Sequence, residues 1–337
     1  MASTESGPPS LPQQEKRKLK ILMLHGFQQS GPLFHAKTRA LEKTLQKAFP
    51  PSPSRGHLPA YPGGVSLIYP TGPIKLRATD LPPSSTTTTT ATSTAAPSEE
   101  QPDAYGWWIR NAETGEYTHF EQGLATIADT LRREGDVAGV IGFSQGAGAA
   151  AIVASLLEEG RREAFVAAGP ASKADGRRPV MAFPESFLLG AGVGAEGKGE
   201  GKGEGLIHPP LKFGVIYSGM AADGTALYRA LYQPKIRTPL LHFVGSLDVL
   251  VEEARSLRLV DSCVAWGQRQ REGDLGRPGV QEGRDADVDV EEEEEERNGR
   301  VVYHPGGHFL PTQKQYLATV IGFIREIVGR EGVTAEE

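Results

Sequence analysis

A single cysteine, Cys263, stands in 337 residues. One thiol cannot close an internal disulfide, so nothing points to an oxidising compartment, and the ordinary expectation for Cys263 is a buried, inert side chain. Long apolar runs are missing as well. No stretch of about 18 consecutive apolar residues occurs, which argues against a membrane span. The opening residues, MASTESGPPSLPQQEKRKLK, lack the apolar core of a secretory signal and read as a polar tail. Neither half carries a basic stripe interleaved with aromatics, so nucleic-acid binding has no support. The formal charge of −6 is concentrated in one place: residues 285–296 (DADVDVEEEEEE) hold nine acids and no base, leaving the remainder net positive. Such a block is ordinarily a solvated, self-repelling loop. A cytoplasmic protein is the expectation, with the nucleus as alternative and secretion disfavoured.

What the chain has in excess is Gly (41) and Pro (25), more than one compact domain needs. Three stretches absorb much of it and read as low-complexity insertions: 79–103 (Thr-rich), about 170–208 (with GAEGKGEGKGEG) and about 266–299 (acidic). Between a tail at 1–17 and another at 331–337, the remaining segments alternate. KLKILMLHGF from Lys18, VSLIY at 65–69, VAGVIGFS at 137–144, FGVIYSG at 213–219, LLHFVGS at 240–246 and VVYH at 301–304 read as strands. Residues 33–48, 118–134, the segment after Ser144, VEEARSLRLVDSCVAW at 251–266, and 312–330 read as helices. Strands alternating with helices predict one α/β domain, a mostly parallel sheet covered on both faces.

The chemistry gathers at Gly142-Phe143-Ser144-Gln145-Gly146. A G-x-S-x-G run between an apolar strand and a small-residue helix fits a sharp turn that lifts a serine hydroxyl above the sheet's carboxyl edge. The alternative is a Gly-rich turn with an idle serine. A neutral serine is a weak nucleophile and needs a base, itself held by an acid. Asp248, just past LLHFV, and His308, in HPGGHF just past VVYH, follow Ser144 in the order such enzymes use. Asp248 could instead cap a helix. Among eight histidines the rival base is His304, but His308 follows two glycines that let its loop curl over the site. A metal pair of His304 and His308 is disfavoured, because Pro305 and the glycines forbid the helix such ligands use.

An acyl-transfer site also needs two backbone N–H groups for the oxyanion. Gln145, next after the serine, is one candidate donor, and Phe27 in the turn Leu24-His25-Gly26-Phe27 the other, unless that segment is merely a tight turn. Trp107 and Trp108 could wall an acyl-binding cleft, with plain core packing as the alternative.

With these motifs in place, the chain resembles the fungal serine hydrolases of the FSH type, related to the animal ovarian-cancer-associated hydrolase. The resembling segments are KILMLHGFQQSGPLFHAKTRALEKTL, YGWW, VIGFSQGAGAAAIVASLL, LLHFVGSLDVLV and HPGGHFLP. The resemblance implies an α/β-hydrolase fold and cofactor-independent hydrolysis of a small carboxylic ester or thioester, including acyl groups released from carrier-bound synthases. It assigns Ser144, Asp248 and His308 as the triad. The other readings are acyl transfer by the same triad, a lid-covered lipase, and a non-catalytic binding module that keeps the fold. The insertions are the departure from the family, and they put the substrate's size in question.

Overall fold

The computed structural model describes residues 16–77, 104–169, 180–190, 205–264 and 300–329. In chain order its elements are β1 (Leu19–Leu24), α1 (Gly31–Ala48), β2 (Val65–Ile68), β3 (Ile74–Lys75), β4 (Tyr105–Gly106), β5 (Ile109–Arg110), β6 (Tyr117–Thr118), α2 (Phe120–Glu134), β7 (Val137–Phe143), α3 (Gln145–Leu156), α4 (Arg161–Ala168), β8 (Phe213–Tyr217), β9 (Leu240–Gly245), α5 (Glu253–Asp261), β10 (Val301–His304) and α6 (Lys314–Gly329). Short 3-10 turns add Glu185–Phe187 and Ala226–Leu231.

Six strands form one sheet in the order β10-β9-β8-β7-β1-β2, and every neighbouring pair is parallel. Every residue of β7, β8 and β9 is buried, as expected of strands covered on both faces. The period-2 alternation decides which core each side chain enters. Leu22, Leu24, Val140, Ile216 and Leu240 join α2 and α3 on one face. Ile21, Met23, Ile141, Val215 and Leu241 join α1 and α6 on the other. Each fully buried aliphatic side chain contributes about 1.5–3 kcal/mol relative to exposure.

Helix α1 starts where the sequence signals it. Ser30 caps it by accepting from the Leu33 N–H, and a proline follows in the first turn. Phe34, Thr38, Leu41 and Leu45 then recur at three- and four-residue spacing and form its buried stripe.

The structure departs from the sequence reading in two places. The helix expected over 251–266 covers only Glu253–Asp261, because the chain then turns extended: Cys263 bridges Ile236, and the Val264 N–H donates to the Ile236 carbonyl. The segment 170–208 is not wholly an insertion. Val180 and Phe187 are buried in the core, and Leu188 pairs with Leu206. His208 is buried where its Nε2 accepts from the Val137 N–H at the start of β7. The rest of that segment, including the Gly/Lys/Glu run, and all of 79–103 and 266–299 lie outside the described residues, as do most of the N-terminal tail and the whole of 331–337. Among the described residues no helix is long and apolar enough to cross a membrane.

Two histidines inside this body link its stability to pH. Burial pushes His25 down to about 4 against the Gly26 carbonyl's upward pull, and burial, then Arg300, pushes His242 down to about 3. In the unfolded chain both groups titrate near 6.5. Between about pH 6.5 and 4 the unfolded chain therefore binds protons that the folded one refuses, and stability rises with pH. The contribution is fully present above about pH 6.5 and is lost as pH falls toward the folded values. A melting temperature that drops across this window is the expected result; one that stays level from pH 7 to about 4.5 contradicts it.

Candidate active site

From β1 the chain goes to β2 on one side, then crosses to β7 on the other. At such a reversal the loops leaving the two carboxyl ends diverge and open a crevice. The loop after β1 carries His25 to Phe27, and the loop after β7 carries Ser144.

Ser144 has φ +53° and ψ −119°, a conformation a side chain adopts only under compulsion. The two flanking glycines supply it. A Cβ on Gly142 would lie 2.2 Å from the Gly146 carbonyl oxygen, and one on Gly146 would lie 2.2 Å from the Leu24 carbonyl oxygen. Both must be Gly for the strand, the turn and α3 to pass this close to β1. The Ser144 N–H donates to the Tyr217 carbonyl at 2.9 Å, and the Ser144 carbonyl accepts from Ala147 and Gly148 in the first turn of α3. The turn is thus held from both sides.

The loops after β9 and β10 meet. A Cβ on Gly245 would lie 2.6 Å from the Gly306 carbonyl oxygen, and the Ser246 and Leu247 N–H groups donate to His304 and Gly306. This stitching brings His308 Nδ1 to 2.8 Å from Asp248 Oδ2. The other carboxylate oxygen, Oδ1, accepts from the Leu250 and Val251 N–H groups at 3.0 and 2.9 Å. Asp248 therefore closes an Asx-type turn, and the N-cap of α5 is Glu252. Burial pushes the Asp248 carboxyl up, but the Val251 N–H and His308 together outweigh it and hold the group below its ordinary value. An ionised carboxylate can only accept, so Nδ1 carries the imidazole proton and Nε2 is left as acceptor. The His308 ring lies with its centroid 4.9 Å from that of Phe143, the residue before Ser144.

His304 sits differently. It is buried, packs against Phe309 and Tyr316, and neither ring nitrogen has a hydrogen-bond partner among the described residues. Burial lowers its pKa against the pull of Asp248.

On the opposite wall, Gln145 does something the motif did not reveal. Its side-chain Oε1 accepts from the Trp107 N–H at 2.8 Å, and its Nε2 donates to the Trp108 carbonyl at 2.7 Å, clamping the YGWW segment over the turn. The backbone N–H groups of Gln145 and Phe27 have no acceptor among the described residues; that of Gln145 is the first of α3 and has none within the helix. His25 is fully buried, its ring centroid 4.9 Å from that of Trp107. The Gly72 N–H donates to its Nε2 at 2.8 Å, so Nδ1 carries the proton and donates to the Gly26 carbonyl, also at 2.8 Å.

The two tryptophans separate. Trp107 is fully buried, its indole N–H donating to the His25 carbonyl, and it walls no cleft. Core packing wins there because the Gln145 clamp turns its ring inward, under the loop after β1. Trp108 does line a cavity of about 430 Å³ at Ser144, with Phe27, Tyr117, Ile152 and Met220. Its ring stacks on Tyr117, which stacks in turn on Tyr228, and this array fixes the cavity wall. Among the described residues no cluster of three or more His, Cys, Asp or Glu could hold a metal ion.

A parallel sheet with a strained serine turn at its switch point, and an aspartate and a histidine on later strand ends, defines an α/β-hydrolase. Comparison with known proteins narrows the class. The sequence model of the serine hydrolase (FSH1) family matches residues 14–270, and the chain belongs to that family. It is 26% identical to Family of serine hydrolases 3 of Saccharomyces cerevisiae over 317 residues, covering 94% of this chain and 86% of that one. Human Esterase OVCA2 is 25% identical over 253 residues, 72% of this chain and 82% of that protein. A Schizosaccharomyces pombe protein named dihydrofolate reductase is 25% identical over 308 residues; the match takes in 91% of this chain but only 47% of that longer relative.

Proposed function

We propose that this serine hydrolase cleaves small carboxylic esters and thioesters through an acyl intermediate on Ser144, with His308 as general base and Asp248 as its orienting acid. The observation that carries this reading is the 2.8 Å contact between His308 and Asp248, which leaves Nε2 free to accept a proton beside the serine turn. Ser144 Oγ attacks the acyl carbonyl carbon while His308 Nε2 takes its proton. The tetrahedral oxyanion is met by the Phe27 and Gln145 backbone N–H groups. Collapse expels the alcohol or thiol, which takes the proton from His308. Water then attacks the acyl-serine, giving its proton to His308, and the free acid leaves as Ser144 recovers its hydrogen.

The cavity of about 430 Å³ at Ser144, lined by Phe27, Trp108, Ile152 and Met220, suits an apolar acyl chain. Acyl groups presented on a carrier protein fall within this reading, and the site of action is the cytoplasm or nucleus. The test is hydrolysis of neutral esters and thioesters of graded acyl length by the purified protein. Turnover of both, declining once the chain outgrows the cavity, is expected; no turnover of any member would contradict the reading.

A further inference from the structure

Beside the apolar cavity lies a second one of about 530 Å³ with different chemistry, lined by Arg110, Arg255, Arg258, Asp223 and Tyr117. Arg110 and Tyr117 belong to both cavities, so the two share a wall. Asp223 is the acid among these side chains, and the Arg258 Nε already pairs with it. Arg110, at the end of β5, and Arg255, in the first turn of α5, have no carboxylate partner among the described residues. Both nonetheless line the second cavity. A Cβ on Gly224, in the wall of the second cavity, would lie 3.4 Å from Arg110 Nη2. Arg255 Nη2 lies 2.7 Å from the sulfur of Met220, which lines the apolar cavity. The Tyr117 phenol feels both: burial pushes it up to about 12, Arg110 and Arg255 pull it down, and Tyr228 and Asp223 push it up. Two guanidinium groups from distant parts of the chain thus line one cavity together with the tyrosine it shares with the acyl cavity. Among the described residues the cavity's one carboxylate, Asp223, is engaged by Arg258, so an anion entering the cavity would gain charge-assisted hydrogen bonds from the other two guanidinium groups.

We infer that Arg110 and Arg255 form an anion subsite beside the acyl cavity, and that the preferred substrate joins an apolar acyl chain to a carboxylate or phosphate. The inference rests on the reading of Ser144 as nucleophile and adds the substrate's charge to it. The anion has two possible sources: the far end of the acyl chain, or the leaving group.

The experiment compares kcat/KM within two matched pairs. One sets the nitrophenyl monoester of a medium-chain dicarboxylic acid against the same compound with its free carboxylate methylated. The other sets an acyl phosphopantetheine thioester against the corresponding acyl pantetheine. Wild-type protein should favour the anionic member of one pair by about tenfold or more, and added salt should erode that preference. In Arg110→Gln/Arg255→Gln the ratio should collapse toward one. Preference in the first pair puts the anion on the acyl chain, and preference in the second puts it on the leaving group. Equal kcat/KM within both pairs, or a preference that survives the double substitution, would overturn the subsite. Neutral members that wild type hydrolyses and Ser144→Ala does not would leave the hydrolase reading standing in that event. Calorimetric binding of each pair to Ser144→Ala protein reads the subsite without catalysis. There the anionic member should bind about tenfold more tightly, and equal affinities would again overturn the proposal.

Discussion

Ser144→Ala should lower ester hydrolysis by about four to six orders of magnitude and leave the melting temperature close to that of the parent. Alanine keeps the Cβ and therefore the backbone conformation at φ +53°. It also keeps the Ser144 N–H bond to Tyr217 and the two carbonyl bonds into α3. Only the hydroxyl is lost, so a loss of activity with the fold retained isolates its chemistry. Ser144→Gly should be equally inactive yet melt no lower. Strain at a side-chain-bearing residue in this region costs about 1–3 kcal/mol, and glycine relieves it. Folded Ser144→Ala protein with parental turnover would contradict the account.

His308→Ala should lose activity on the same scale, whereas His304→Leu should stay within about tenfold of the parent. The two residues are four apart and differ in every relevant contact. His308 donates to Asp248 and packs beside Phe143, while His304 packs against Phe309 and Tyr316 with both nitrogens unpaired among the described residues. Replacing a buried group whose polar atoms are unsatisfied with an apolar one of similar size costs little. Asp248→Asn should behave like His308→Ala, because a carboxamide can turn an N–H toward Nδ1 and stabilise the wrong tautomer. Steady-state rates of the three purified variants check this. An active His308→Ala beside an inactive His304→Leu would reverse the assignment.

The parts of this site legible in the sequence are those whose signals are local and dense. The elbow announced itself because its glycines, its preceding apolar strand and its small-residue helix lie within twenty residues, and the close approaches at Gly142 and Gly146 show why that composition is obligatory. Asp248 and His308 were legible by chain order and by the glycines at 306 and 307, since a loop crowded against Gly245 needs small residues. What was hidden depends on partners far away in the chain. Trp107 and Trp108 are adjacent and chemically alike, and only the Gln145 side chain and the His25 carbonyl decide which ring faces the cavity. β3 to β6 are two-residue strands fixed by tertiary contacts, too short for any period to register. Phe187 sits in a short apolar run, PVMAFPESFLLG, whose core signal is masked because the charged and Gly-rich segments on either side dominate the composition of 170–208. Arg110 and Arg255 are separated by more than a hundred residues, so their place in one cavity beside Tyr117 is visible only in the fold.

The central claim is that Ser144 is the residue that takes the acyl group. It is tested most directly by reacting the native protein with a fluorophosphonate, digesting it, and locating the adduct by mass spectrometry. The account predicts one modified residue, Ser144, with labelling and ester hydrolysis lost in parallel and no adduct on Ser144→Ala protein. A stoichiometric adduct on any other serine, or full inactivation with Ser144 unmodified, would contradict it.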